Sequence, residues 1–210
     1  MTRIALFGGT FDPPHRGHLA IAHAAAKAFR LDQILFAPVG RQPLKLDAHP
    51  TSFGDRVAMV AATCRDAAEM QPPSVYPLFA VSTLDAPRPD ERPNYTVDTL
   101  IAIGRQYPGA ELFNLVGADS FLDLPRWHRP DRLLELAEWI VVTRPGYPLS
   151  ETPLHLTPAQ ANRVHVLTEV EEDVSATSLR ERLRLGDACS DLLTPSVAAY
   201  IALHGLYRQE

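Results

Sequence analysis

The chain has 210 residues, 46% of them hydrophobic and 21% charged, a globular composition with enough material to bury a substantial core. Its formal net charge of −5 excludes a general pull toward nucleic acid or anionic membrane, so any anion site has to be built locally. The longest apolar runs, such as "WIVVT" and "ILFAPV", are far too short to cross a bilayer, and the start "MTRIALFGGT" does not read as a signal peptide.

In chain order, "RIALF" (Arg3–Phe7) and "QILFAPV" (Gln33–Val39) are short β-compatible runs. Between them "HLAIAHAAAKAF" sets Leu19, Ala22, Ala26 and Phe29 at helical spacing in an alanine-rich segment. Strand, helix and strand within about forty residues predict a βαβ unit with parallel strands. "FGDRVAMVAATCRDA" and "TVDTLIAIGRQY" predict two further helices. "ELFNLVG", "WIVVT" and "VHVLTEV" predict strands, mostly apolar on both faces as in a covered parallel sheet. "SATSLRERLRLG", running from cap-like residues to Gly186, and "TPSVAAYIALHGLY", with a Thr-Pro start and Gly205 near its end, predict the closing helices. "APRPDERPN" (Ala86–Asn94) reads as a surface loop, and no linker, repeat or low-complexity tract divides the chain. Cys64 and Cys189 lack metal-ligand spacing; both are placed in helices, as free thiols of a cytoplasmic protein. The expectation is one α/β domain over residues 1–210, an open parallel sheet with helices on both faces.

The stretch "GGTFDPPHRGH" (Gly8–His18) falls where the first strand ends and the first helix begins. Ligands of open parallel sheets bind beyond the carboxyl ends of the strands, and a helix N-terminus there offers unsatisfied N–H groups to phosphate. Gly8 and Gly9 permit close backbone approach, and Pro13 and Pro14 stiffen the turn that carries His15. Neither a Walker A nor a G-x-G-x-x-G pattern can be written onto the segment. "GGTFDPPHRGHL" resembles the signature of the H-x-G-H nucleotidyltransferase superfamily, and its Phe-Asp-Pro-Pro-His form resembles the bacterial nicotinate-nucleotide adenylyltransferases.

Five more segments carry the same resemblance. "NYTVDTL" (Asn94–Leu100) is similar to a Ser-Tyr-Thr-x-Asp-Thr-Leu pattern with asparagine in place of serine. "VGADSFLDLPRWHR" (Val116–Arg129) is similar to a Gly-x-Asp segment followed by Trp, and "VTRPG" (Val142–Gly146) follows it. "VSATSLR" (Val174–Arg180) matches Ser-x-Thr-x-x-Arg at a helix start, and "PVGRQPLK" (Pro38–Lys45) keeps Lys45 but has Leu44 where the family usually has histidine.

The resemblance implies a Rossmann-like nucleotidyltransferase fold and transfer of the adenylyl group of ATP to nicotinate mononucleotide. It implies that His15 and His18 hold the α-phosphate, while Gly8, Gly9, Thr10 and Phe11 support the nucleotide through their backbone. Ser175, Thr177 and Arg180 face the β- and γ-phosphates, and Gly117 and Asp119 lie against ribose. Trp127 stacks on the pyridine ring, and the backbone around Thr96 and His128 donates to the nicotinate carboxylate. Lys45 steadies the incoming phosphate, and Arg144 is a further substrate-side cation. Mg²⁺ enters with ATP, and no residue cluster argues for a structural metal; nucleic acid and membrane are not expected partners, and a homo-oligomer is compatible with the chain.

Each segment also has a plainer reading. Ser175 and Asp119 fit helix N-caps, Arg180 a solvated basic face, Trp127 a packing residue, and Tyr95 and Asp98 simply the beginning of a helix. Three alternatives stay open at this level: an adenylyltransferase preferring nicotinamide mononucleotide, one acting on phosphopantetheine, and a non-catalytic nucleotide-sensing module.

Overall fold

The computed structural model describes residues 1–46, 50–70, 78–143, 156–168 and 175–208. Six strands form one sheet: β1 (Arg3–Gly9), β2 (Gln33–Pro38), β3 (Leu78–Val81), β4 (Glu111–Gly117), β5 (Glu138–Val142) and β6 (Val164–Leu167). Their order is β3-β2-β1-β4-β5-β6, and every neighbouring pair is parallel. This is a doubly wound α/β sheet whose strand order reverses between β1 and β4, and such a reversal opens a crevice at the carboxyl ends of those two strands.

Alternation along the strands sends side chains to both faces, and each face is covered by helices. On one, Ala5, Phe7, Ile34, Phe36, Phe113 and Leu115 pack against α1 (Arg16–Phe29) and α2 (Phe53–Glu69). Alanines at positions 22, 25 and 26 let α1 lie close to the sheet. On the other face, Ile4, Leu6, Leu35, Trp139 and Val141 meet α3 (Thr96–Gln106), α4 (Ala118–Leu122) and α5 (Pro130–Leu136). A short α6 (Pro158–Ala161) precedes β6. A third cluster joins Met59 and Ala62 of α2 to Leu179 and Leu183 of α7 (Ala176–Arg184) and to Val197 and Ile201 of α8 (Pro195–His204).

The helix over Arg16–Phe29 starts two residues earlier than its apolar period suggests, because His15 already serves as N-cap. The short β3 carries too few residues for a periodic signal, and α4, α5 and α6 are similarly brief. Described strand structure in "VHVLTEV" ends at Leu167; residues 169–174 lie outside the described residues. Cys64 lies in α2 as expected, but Cys189 does not lie in a helix: it occupies a turn at φ +49°, fully buried, with its N–H donating to Asp187 Oδ1. Both thiols are free and buried. Among the described residues no helix is long and apolar enough to cross a membrane.

Candidate active site

The strand-order reversal puts Gly8–Gly9 at the end of β1 beside Gly117 at the end of β4. A Cβ built on Gly8 or on Gly117 would meet no atom within 4 Å, so the crevice above both strand ends is open to a ligand. Gly9 is more confined, since a Cβ there would sit 3.1 Å from the Phe11 ring. Phe11 itself is buried, at φ +52°, so only its backbone is available to a nucleotide.

Beyond Gly9 the loop is braced from five separate segments. Val39 N–H donates to Gly9 O at 2.9 Å. Arg56, a 1% exposed side chain of α2, donates to Thr10 O at 2.8 Å, Val39 O at 2.9 Å and Thr51 O at 2.9 Å. Burial lowers its pKa, partly offset by the nearby charge of Asp12. Asp12 is the hub: its carboxylate accepts from Tyr207 Oη at 2.6 Å and Thr51 N–H at 3.2 Å, and its carbonyl accepts from Arg180 Nη1 at 2.8 Å. Arg16 N–H donates to Leu192 O and its Nε to Leu193 O, fixing the start of α1. Every one of these bonds satisfies a polar group that would be costly to leave unpaired.

The two histidines meet within this frame. Their rings lie 3.8 Å apart between centroids, and the His18 ring also contacts the Phe11 ring at 4.9 Å. His15 N–H donates to His18 Nδ1 at 3.2 Å. An acceptor Nδ1 on a neutral imidazole leaves the proton on Nε2, so His18 presents a fixed N–H donor. Burial holds His18 well below its ordinary 6.5, and the adjacent His15 adds to the effect. Burial likewise pushes His15 down to about 4, and its Nδ1 has no hydrogen-bond partner among the described residues. Two neutral imidazoles beside an open crevice can donate to an anion, and binding it would draw their pKa values upward.

Arg180 is more than a solvated cation. Besides holding Asp12 it donates from Nη2 to Thr177 Oγ1 at 3.2 Å, so the guanidinium ties the α7 N-terminus to the loop before α1. Ser175 is the N-cap of α7 and accepts from Ser178 N–H at 3.5 Å. Ser175 and Thr177 are both exposed, and the first-turn N–H groups of α7 lack partners within the helix.

A second group forms at the N-terminus of α3. Tyr95 is its N-cap, Thr96 its first residue, and Asp98 lies in the first turn, as their plainer reading expects. The Tyr95 ring stacks on exposed His128 at 4.3 Å and 29°, which draws the turn at Trp127–His128 against the start of α3. Trp127 is part-buried against the core, 5.7 Å from the Trp139 ring, so packing accounts for one side of its indole. Asp119 is exposed in the first turn of α4; Gly117, rather than Asp119, is the N-cap, which corrects the capping reading. Lys45 is exposed in a turn closed by Lys45 N–H on Gln42 O. Arg144 lies outside the described residues.

The structure therefore sets His15 beside His18 and ties Arg180 to Asp12 of the same loop, and it sets His128, next to Trp127, on Tyr95, next to Thr96. The sequence assigns no role to Asp12, although it lies inside the quoted stretch, nor to Arg56 and Tyr207, and it marks Asn94 only as a departure from serine. A lone arginine inside a helix or a tyrosine near a chain end carries no local signal of such roles. Among the described residues no group of three or more His, Cys, Asp or Glu side chains could hold a metal ion.

Known proteins resemble the chain in sequence and in fold. Residues 6–182 match the cytidylyltransferase-like family. A protein of Roseiflexus named nicotinate-nucleotide adenylyltransferase is 40% identical over 207 residues, covering 98% of each chain. One of the same name from Gloeobacter violaceus is 41% identical, over 98% of this chain and 96% of its own. In three dimensions the chain is similar to a Plasmodium falciparum nicotinic acid mononucleotide adenylyltransferase complexed with NaAD, with a TM-score of 0.72 and 16% identity over 99% of this chain and 98% of that one. The same enzyme complexed with APC superposes with a TM-score of 0.73 at 15% identity and the same coverage. Those likenesses establish the nucleotidyltransferase fold.

Proposed function

The chain belongs to the nicotinate-nucleotide adenylyltransferase family, and from that membership we propose that it joins nicotinate mononucleotide to ATP, releasing nicotinate adenine dinucleotide and pyrophosphate in NAD biosynthesis. An oxygen of the mononucleotide phosphate attacks the α-phosphorus of ATP in line, and the bond to the β-phosphate breaks. The nucleophile is already an anion at neutral pH, so the protein's work is positioning and charge stabilisation rather than proton removal.

In this reading the neutral His18 donates from Nε2 to the α-phosphate, beside His15. The open strand ends at Gly8 and Gly117 let the nucleotide lie against backbone, with Gly9, Thr10 and Phe11 contributing their main chain. Ser175, Thr177, Arg180 and the first turn of α7 hold the leaving pyrophosphate. Asp119 meets ribose. Thr96 and His128 donate backbone N–H groups to the nicotinate carboxylate, Trp127 covers the ring, and Lys45 meets the phosphate; Arg144 belongs to the same substrate side. Mg²⁺ accompanies ATP, held chiefly by phosphate oxygens and water. The whole chain acts as one domain, and its two buried free thiols suit the cytoplasm.

The observation that carries the substrate choice is the Tyr95–His128 stack, which draws the turn that holds His128 against the start of α3, where Thr96 lies. Fixed N–H donors suit a carboxylate, whereas the NH₂ of the amide would confront them with another donor. The test is pyrophosphate release from ATP with nicotinate mononucleotide, nicotinamide mononucleotide and phosphopantetheine. A preference for nicotinate on the order of a hundredfold in kcat/KM is expected, from a charged hydrogen bond of roughly 1.5–3 kcal/mol plus the unpaired donor. Equal values for the two pyridine mononucleotides would remove the carboxylate pocket. Trp127→Ala should weaken both and largely keep their ratio.

A further inference from the structure

Asn94 joins three stretches of chain beside the start of α3. Arg41 N–H donates to Asn94 Oδ1 at 2.9 Å, and Asn94 N–H donates to Arg41 O at 2.9 Å, so the asparagine holds both backbone polar groups of Arg41. The remaining amide nitrogen, Nδ2, donates to Ala86 O at 2.8 Å. Asn94 is 6% exposed, so water cannot readily replace these bonds. Next to them Gly40 N–H donates to Asp85 O at 2.7 Å, and a Cβ on Gly40 would lie 2.4 Å from Pro87 N. Only glycine fits that contact. Asp85 is tied in turn to α3 through Thr99 Oγ1 at 3.0 Å. The chain that leads to Lys45 is therefore fastened, through one buried amide, to the residue immediately before Tyr95 and Thr96.

We infer that Asn94 is a positioning residue for the mononucleotide, holding the Gly40–Lys45 segment at a set distance from the backbone donors at Thr96 and His128. It rests on the reading of that pocket as the nicotinate mononucleotide site. Asn94 touches no substrate itself; it acts through Arg41 on one side and Tyr95 on the other. A serine at the position offers one oxygen on a shorter side chain and cannot span both Arg41 N and Ala86 O. Asparagine in place of serine thus ties together two walls of one pocket.

The experiment compares wild type, Asn94→Ala and Asn94→Ser in full-length protein by steady-state kinetics and by amide hydrogen exchange of residues 40–46. For Asn94→Ala the KM for nicotinate mononucleotide should rise about tenfold, the scale of one or two buried hydrogen bonds lost. The KM for ATP should stay within about twofold, exchange at Arg41 should accelerate, and Asn94→Ser should fall between the two. A KM for ATP rising in step with that of the mononucleotide would reduce Asn94 to a general stabiliser and overturn the inference. Unchanged exchange at Arg41 would overturn it as well. Failure of the underlying reading looks different: wild type would not use nicotinate mononucleotide, and the KM split would then be read on the mononucleotide it does use.

Discussion

Tyr207 Oη donates a 2.6 Å hydrogen bond to Asp12 Oδ1 across 195 residues of sequence, so the end of the described chain helps to hold the loop that carries His15. Burial and the adjacent Asp12 carboxylate raise the Tyr207 pKa, keeping the hydroxyl protonated and able to donate. Tyr207→Phe leaves a buried carboxylate one partner short, at a cost of about 1–3 kcal/mol. In a chain of this length that lowers Tm by roughly 3–10 °C. Because Asp12 O also accepts from Arg180, kcat should fall more than either KM rises. Thermal unfolding together with initial rates checks both; a variant with wild-type Tm would show that the bond contributes nothing.

The fixed tautomer of His18 makes it the better of the two histidines as a donor to developing charge. His18→Ala should lower kcat by roughly two to three orders of magnitude, as for one preorganised donor, while ATP binding weakens much less. Single-turnover rates and ATP titration separate the two effects. Near-normal turnover would remove His18 from the chemistry.

Arg180 has two of its nitrogens committed, to Asp12 O and Thr177 Oγ1, so its fork is oriented before any ligand arrives. An ammonium cannot make both contacts and still meet pyrophosphate in a forked geometry. Arg180→Lys should therefore lose at least about tenfold in kcat/KM for ATP, one charged hydrogen bond's worth. Equal values for lysine and arginine would return the residue to a surface charge.

Stability should respond to pH in two opposed windows. His15 drops from 6.5 to about 4 on folding, so the unfolded chain binds the extra proton first as the medium becomes acidic. Its contribution is complete above pH 6.5 and lost progressively down to pH 4, about 3 kcal/mol in all at ~1.4 kcal/mol per pH unit. His15→Gln should flatten that part of the acid limb; an unchanged slope there would contradict the buried neutral ring. Asp85 goes the other way, since burial raises its carboxyl from 3.8 to about 6. The stability tied to its neutral form is complete below pH 3.8 and lost as pH rises through 6. Asp85→Asn should thus raise Tm relative to wild type at about pH 8 and change it little at about pH 4. The same difference at both would show that the carboxyl ionises freely.

Local pattern decided a large share of this protein. The apolar periods of β1, α1, β2 and α3 were readable because a half-buried helix or covered strand repeats its burial every few residues. Ser175 as the N-cap of α7 and Gly205 at the end of α8 were readable because capping chemistry lies within one turn of the residue concerned. The strand-to-helix turn with its paired histidines was readable because glycine, proline and histidine together have few structural uses. Periodicity did not reach β3, whose four residues are too few to repeat, and it misplaced Cys189, whose turn is held by Asp187.

Only the tertiary structure decided what those residues can do. His18 becomes a neutral Nε2 donor because a backbone N–H and a second imidazole surround it, and burial of that kind has no signature in neighbouring residues. Arg56 and Tyr207 brace the Gly8–His18 loop through partners 46 and 195 residues away in sequence. The Tyr95–His128 stack joins two motifs that sequence could only place in order. Such contacts carry no period because they depend on the strand order that brings β1 beside β4. Local sequence supplied the parts and their chemistry, and the packing of distant segments set their distances, charges and donors.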